Sequence, residues 1–176
     1  MGRLDGKVAL ISGAARGQGE AEARRFVAEG ARVVLGDVLE TECRTVEESL
    51  GDAARAIRLD VTREDDWSRA VETALDAFGR LDVLVNNAGI VRTGAIESTS
   101  LEDYRAVVDV NQIGTFLGMR AVVPAMREAG GGSIVNISSN AGMEGVQGVI
   151  GYVASKWAIR GMTKSCLLYT SDAADE

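Results

Sequence analysis

Residues 7–19 read KVALISGAARGQG, and the fold turns on this stretch. Residues 7–12 (KVALIS) are an apolar run of strand length. The run passes directly into Ser12-Gly13-Ala14-Ala15-Arg16-Gly17-Gln18-Gly19. Helical spacing follows over residues 17–29, marked by Ala21, Phe26 and Val27. Glycines at such a junction permit a tight turn and bring backbone N–H groups close to a diphosphate at a helix start. The spacing is G-x3-G-x-G and not the common G-x-G-x-x-G fingerprint, so taken alone it is also compatible with a glycine-rich turn that binds nothing.

The alternation repeats along the chain. Residues 31–36 (ARVVLG), 56–60 (AIRLD), 81–86 (LDVLVN) and 133–138 (SIVNIS) read as further strands. Residues 41–50 read as a helix. Thr62 is expected to cap the next helix, with Asp65 closing a capping box and Trp67, Val71, Leu75 and Phe78 facing inward. Ser100 is expected to cap one long helix running towards Glu128, and a last helix begins near Gly151. Strand and helix in alternation imply parallel pairing with helices on both faces. The expected fold class is therefore α/β, a doubly wound parallel sheet of Rossmann type in the order 3-2-1-4-5-6, with five strands visible. No repeat, linker or low-complexity segment is visible.

Composition narrows the function. A length of 176 residues suits one domain with a buried core. With 46% hydrophobic and 26% charged residues, the chain reads as an ordinary soluble protein. A net charge of −7 without a basic run argues against nucleic acid and anionic membranes as partners. No apolar stretch has the length of a membrane span, and the start carries Asp5 where a secretory segment would be apolar. Two cysteines, Cys43 and Cys166, make neither a disulfide framework nor a metal cluster. The chain has no histidine, so acid–base chemistry must use another residue, and a zinc site is not expected. A cytoplasmic, metal-free protein is the expectation.

Three further features carry chemistry. Asp37 closes the second strand about 20 residues beyond the glycines, where a carboxylate binds the ribose hydroxyls of NAD. It would repel the 2′-phosphate of NADP, and Val38 offers that phosphate no cation. Arg16 in the glycine turn pulls the other way, but Asp37 occupies the ribose position itself. Asn86-Asn87-Ala88-Gly89 ends the fourth strand, as a plain turn also would. Tyr152-Val153-Ala154-Ser155-Lys156 sets a phenol and an ammonium on one helical face. A free phenol titrates near 10, and a cation held beside one favours the phenolate. By itself the Y-x3-K spacing is common and is also that of a surface pair.

Taken in order, SGAARGQG, Asp37, Asp60-Val61, NNAG, Asn111 in DVNQIG, Ser139 in IVNISS and YVASK resemble the short-chain dehydrogenase/reductase family over residues 4–165. The resemblance implies an NAD-dependent oxidoreductase acting on a small alcohol or ketone. Tyr152 would exchange the proton with the substrate oxygen. Lys156 would lower the phenol's pKa and bind the nicotinamide ribose. Ser139 would hold the substrate oxygen, with Ser138, one strand position earlier and facing the other way, the weaker candidate. Asn111 would interrupt its helix and hold a water linking Lys156 to solvent. Asp60 and Val61 would sit by the adenine. Asn87, Ala88 and Gly89 would lie along the cofactor, as would Gly13, Arg16, Gly17, Gln18 and Gly19. The segments GRLDGKVALISGAARG, GGSIVNISS and YVASKWAIRGMTKS are similar to those of bacterial 3-alpha/20-beta-hydroxysteroid dehydrogenases. Relatives that use 3-oxoacyl thioesters, cyclic alcohols or diols share such segments. The full-length protein would be a homodimer or homotetramer.

The resemblance stops at Ser165. Residues 166–176 (CLLYTSDAADE) are similar to a translated transposase sequencing adapter. Residues 1–165 are therefore expected to form an incomplete NAD-binding Rossmann domain that lacks the sixth strand and is inactive as it stands. Two competing classes remain. A non-catalytic nucleotide-binding regulator would not need Asn111, Ser139, Tyr152 and Lys156 together. A sugar-nucleotide epimerase usually spaces its glycines G-x2-G-x2-G. The carboxylate at Asp37 gives a direct test. In the full-length protein Asp37→Ala should narrow the preference for NAD over NADP by about 1.5–3 kcal/mol, the worth of a hydrogen bond to a charged group. Steady-state kinetics with both cofactors reads this, and a parent protein that favours NADP would show that Arg16 outweighs Asp37.

Overall fold

The computed structural model describes residues 2–167. Five strands, β1 (Val8–Ser12), β2 (Arg32–Asp37), β3 (Ala54–Arg58), β4 (Val83–Asn86) and β5 (Ser133–Asn136), lie in the order β3-β2-β1-β4-β5. β1 runs parallel to β2 and β4, and β2 runs parallel to β3. The helices are α1 (Gly17–Ala28), α2 (Glu40–Leu50), α3 (Glu64–Phe78), α4 (Leu101–Val108), α5 (Gly114–Glu128) and α6 (Ile150–Leu167). This is the expected α/β doubly wound order, with five strands among the described residues. The described residues form two compact units, one of residues 2–88 with Leu117–Val135 and the other of Gly89–Phe116 with residues 136–167.

The first unit holds the sheet. All five residues of β1 and the middle four of β2 are buried, which requires cover on both faces and explains why these strands read as continuous apolar runs. In α3, Trp67, Ala70 and Ala74 are buried at helical spacing. Leu75 departs from expectation and is exposed, because it lies off that stripe. The expected capping box also fails. α3 begins at Glu64 behind an uncapped Arg63. Thr62 is taken up instead by Asp60, whose Oδ1 accepts from the Thr62 N–H at 3.1 Å and from its hydroxyl at 2.7 Å. β3 begins and ends two residues before the expected 56–60, where its ladder to β2 pairs Val33 with Ala54 and Asp37 with Arg58. β5 ends at Asn136 and not at Ser138.

In the second unit Ser100 caps α4 as expected, its hydroxyl accepting the Asp103 N–H at 3.0 Å. The long helix expected from Ser100 towards Glu128 is interrupted at Asn111, as the resemblance implied, and divides into α4, a π-helical turn over Asp109–Ile113, and α5. The wide turn carries Asn111, which is fully buried and hydrogen-bonded. The expectation about residues 166–176 falls mostly outside the described residues. Cys166 and Leu167 continue α6. No helix of the described residues is long and apolar enough to cross a membrane.

One buried carboxylate ties down the start of the sheet. Asp82, 4% exposed, accepts the Val8 N–H at 3.0 Å and the Arg80 guanidinium, with Lys7 at 3.5 Å. Burial alone would push its pKa up, but Arg80 and the Val8 N–H outweigh burial and hold it below the usual carboxylate range. A depressed folded pKa means stability that is present above the unfolded value and lost as pH falls through the folded one. Asp82→Asn should therefore destabilise the protein by about 1–3 kcal/mol at pH 7. The gap from the parent should close as pH drops below about 4. Urea unfolding at both pH values checks this.

Candidate functional site

In the first unit the site begins where β1 ends. Gly13 adopts φ +69°, and a Cβ there would stand 2.9 Å from the Ala88 Cα. A Cβ on Gly19 would stand 2.2 Å from the Gly13 carbonyl, so α1 can start this close to the loop only with glycine at that position. Arg16 stands in extended geometry before α1, exposed, and no side chain caps the helix. The first-turn N–H groups of Gly17, Gln18 and Gly19 therefore remain available to an anion. The Gln18 side chain turns outward to Glu22 at 2.8 Å.

Ser12 organises the loop, which sequence reading missed. Its hydroxyl accepts the N–H groups of Asn87 at 3.1 Å and Ala88 at 3.2 Å. The Asn87 amide donates back to the carbonyls of Ser12 and Gly13, each at 3.0 Å. Asn87 thus braces the glycine turn. The Asp37 carboxylate accepts the Ala15 N–H through one oxygen and the Leu39 N–H through the other, both at 3.0 Å. Each oxygen keeps a lone pair for a further donor such as a hydroxyl. Asp60 is half-buried and Val61 is 7% exposed, both in the loop between β3 and α3. Asp66 in α3, also missed, accepts the Asp60 N–H at 2.9 Å and meets Arg69 at 2.8 Å, Arg58 at 3.3 Å and Arg63 at 3.6 Å. Burial would raise its pKa, but the Asp60 N–H and the arginines hold it below the ordinary range.

The second unit gathers the residues expected to manage a proton. Asn111 pairs with Ile90 through both amide groups, accepting its N–H at 2.8 Å and donating to its carbonyl at 2.9 Å. It also donates to the Ser155 hydroxyl at 3.1 Å, and Ser155 donates to the Tyr152 carbonyl at 2.8 Å. The π-helical turn is thereby tied to the start of α6, through a buried serine that sequence reading passed over. Lys156 is 4% exposed. Its Nζ donates to the Ile137 carbonyl at 2.7 Å and stands 5.5 Å from the Tyr152 ring centroid. Burial pushes the ammonium's pKa down. Tyr152 itself is half-buried.

Ser138 and Ser139 both lie beyond the end of β5, so strand alternation does not separate them, but their hydroxyls have different partners. Ser138 donates its hydroxyl to the Lys156 carbonyl at 3.1 Å and is spent in packing. Ser139 caps a short 3-10 turn over Asn140–Gly142, its oxygen accepting the Ala141 N–H at 3.2 Å, which leaves its proton free to donate. No direct hydrogen bond joins Ser139 to Tyr152 or Lys156 among the described residues. Gly89, next to Ile90, is exposed. Among the described residues no cluster of acidic residues and cysteines could hold a metal ion.

Known proteins share this layout. The family model described as short chain dehydrogenase matches residues 7–171. A 3-alpha-(or 20-beta)-hydroxysteroid dehydrogenase of Mycobacterium bovis is 55% identical over 95% of this chain and 64% of the relative. A trans-4-hydroxycyclohexanecarboxylate dehydrogenase of Sinomonas cyclohexanicum is 46% identical over 93% of this chain and 66% of the relative. The crystal structure of a 3-ketoacyl-(acyl-carrier-protein) reductase from Brucella melitensis, complexed with NADH, matches with a TM-score of 0.91 at 37% identity. It covers 94% of this chain and 71% of that one. The chain thus spans 64% of the length of the hydroxysteroid dehydrogenase it matches. With the sheet order, the glycine turn and these matches in agreement, the chain belongs to the short chain dehydrogenase family.

Proposed function

We propose that this chain carries the cofactor-binding and proton-handling residues of an oxidoreductase that moves a hydride between NAD(H) and a secondary alcohol or ketone. The observation that carries the reading is Lys156, a buried ammonium anchored on the Ile137 carbonyl and standing over the Tyr152 ring. Burying an amine this deeply is costly, and a purely structural lysine would be expected to find a carboxylate there. The residues of the first unit fit a dinucleotide. The glycine turn leaves room for close backbone approach, the uncapped start of α1 offers N–H groups to a diphosphate, and Asp37 has lone pairs for two ribose hydroxyls. Asp37 also disfavours a 2′-phosphate, which supports NAD over NADP.

The nicotinamide, when bound, supplies the hydride chemistry. The chain supplies the rest. Tyr152 gives the proton to the substrate oxygen in reduction and takes it in oxidation. Ser139 donates its free hydroxyl proton to the same oxygen, where charge develops. Lys156 holds its ammonium beside the Tyr152 ring and binds the nicotinamide ribose. Asn111, through Ser155, holds the backbone of Tyr152 in place and serves the proton path to solvent. Hydroxysteroids are the favoured substrate class, supported by the 55% identical relative named for them. Cyclic alcohols and 3-oxoacyl thioesters are the second reading, supported by the names of relatives at 46% and 37% identity. The full-length protein would act as a cytoplasmic homodimer or homotetramer.

Tyr152→Phe keeps the ring and removes the proton carrier. In the full-length protein it should lower kcat by about 10²–10⁴-fold and leave NADH binding nearly unchanged. Steady-state kinetics on a panel of secondary alcohols, with NADH fluorescence titration alongside, checks both halves. A loss of kcat below about tenfold would remove Tyr152 from the proposed role.

A further inference from the structure

Three side-chain bonds tie the segment after β5 to α6. The Lys156 ammonium donates to the Ile137 carbonyl at 2.7 Å, and the Ser138 hydroxyl donates to the Lys156 carbonyl at 3.1 Å. One helical turn further on, the Arg160 guanidinium donates through Nη1 to the Gly142 carbonyl at 2.7 Å. Ser139 stands between the anchored residues. The first two bonds fix the chain before it, and Arg160 fixes the chain after it. The approach here is close. Gly142 is buried, and a Cβ on it would stand 2.6 Å from Ser138 Oγ and 2.9 Å from the Lys156 carbonyl oxygen. The turn over Asn140–Gly142 therefore lies directly on the helix, and the carbonyl of buried Gly142 is an acceptor that needs a donor.

Arg160 is itself held in place. Its guanidinium carbon stands 5.7 Å from the centroid of the Trp157 ring, within the range of a cation–π contact. A guanidinium can offer its face to a ring and its N–H edge to an acceptor at the same time. Among the described residues no acid pairs with Arg160, so its charge is spent on the turn and not on a surface ion pair. The turn that it holds is the one Ser139 caps. The Ser139 hydroxyl oxygen accepts the Ala141 N–H at 3.2 Å, and the Ser139 carbonyl accepts the Gly142 N–H at 2.9 Å. With that oxygen committed to Ala141, the direction left to the hydroxyl proton follows the placement of the turn.

We propose that Arg160 is a positioning residue for Ser139, holding the Asn140–Gly142 turn on α6 so that the Ser139 hydroxyl proton is aimed at the substrate oxygen. The proposal rests on the reading of Ser139 as the donor to that oxygen. Arg160 need not touch substrate or cofactor. It acts through the Gly142 carbonyl, and its effect on turnover therefore disappears once the Ser139 hydroxyl is removed. A merely structural arginine would cost the same turnover with or without that hydroxyl.

The test is a double-mutant cycle in the full-length protein, on a panel of secondary alcohols with NAD. Arg160→Met keeps the apolar stem and removes the donor. It should lower kcat by about tenfold, short of the roughly 10²–10³-fold expected when a donor to developing charge is lost outright, as in Ser139→Ala. In the Ser139→Ala background the same substitution should lower kcat by less than about twofold further, because residues that act as a unit are not additive. Arg160→Lys, which keeps a charged donor, should recover most of the loss. Without ligand, amide hydrogen exchange at residues 139–143 should be faster in Arg160→Met than in the parent, while exchange at residues 150–156 stays unchanged. If Arg160→Met does not fold, Trp157→Leu, which removes the ring that the guanidinium stands over, takes its place in both measurements with the same expected pattern. A kcat equal to the parent's, a loss that persists in full beside Ser139→Ala, or unchanged exchange at residues 139–143 would overturn the proposal while leaving Ser139 in its role. A Ser139→Ala protein that turns over like the parent would overturn the reading of Ser139, and a parent that oxidises no alcohol in the panel would overturn the oxidoreductase reading. The proposal falls with either.

Discussion

A serine hydroxyl at the end of β1 holds together the part of the molecule on which everything else in the first unit depends. Ser12 is 1% exposed, and its oxygen takes two backbone N–H groups from the end of β4 while its proton goes to the Val85 carbonyl at 3.4 Å. Replace the serine by alanine and the Ala88 N–H loses its partner, at a cost of about 1–3 kcal/mol where it is buried, while the Asn87 N–H is left with the Val85 carbonyl at 3.1 Å. The Asn87 amide closes the same knot from the other side. The constraint explains the glycines. With β1 and β4 locked at this level, the chain must turn at once, and α1 must start against the Gly13 carbonyl. Asp37 is then set on the neighbouring strand, its carboxylate reaching the Ala15 N–H of the same turn.

The second unit follows the same logic with different parts. A buried asparagine in a helix is unfavourable unless its amide is satisfied. Asn111 is satisfied by Ile90 and Ser155, and the π-helical turn is the backbone adjustment that goes with it. The π turn and the Ser155 bond to the Tyr152 carbonyl give α6 a defined start. One turn further on, Lys156 is anchored by a backbone carbonyl and not by a carboxylate, so its charge is not neutralised by an acidic partner.

Much of this was legible in the sequence because the strands are buried on both faces. Val8–Ser12 and the centre of Arg32–Asp37 have no polar interruption, so their runs stand out. The glycine turn, Asp37 and the Y-x3-K pair are local patterns and could be read directly, whereas Asn111 and Ser139 were visible only through family resemblance. What stayed hidden depends on contacts distant in the chain. The interruption at Asn111 was implied by the resemblance, but its π-helical form, one residue added to a helical period, leaves no mark in composition. Ser12 and Ser155 look like ordinary polar residues until their partners 75 and 44 positions away are known. Thr62 was misread as a helix cap because Asp60, two residues before it, claims it first. For Asp66 a signal was present, three arginines at positions 58, 63 and 69 around one acid, although nothing local shows that the acid is buried.

The central claim is that the glycine turn and the loop after β3 in the first unit bind a dinucleotide. Amide hydrogen exchange with and without NADH tests it most directly, since it reports each segment separately. The account predicts slowed exchange at residues 13–19 and 60–61 on adding NADH. Unchanged exchange in those segments at saturating NADH would contradict it.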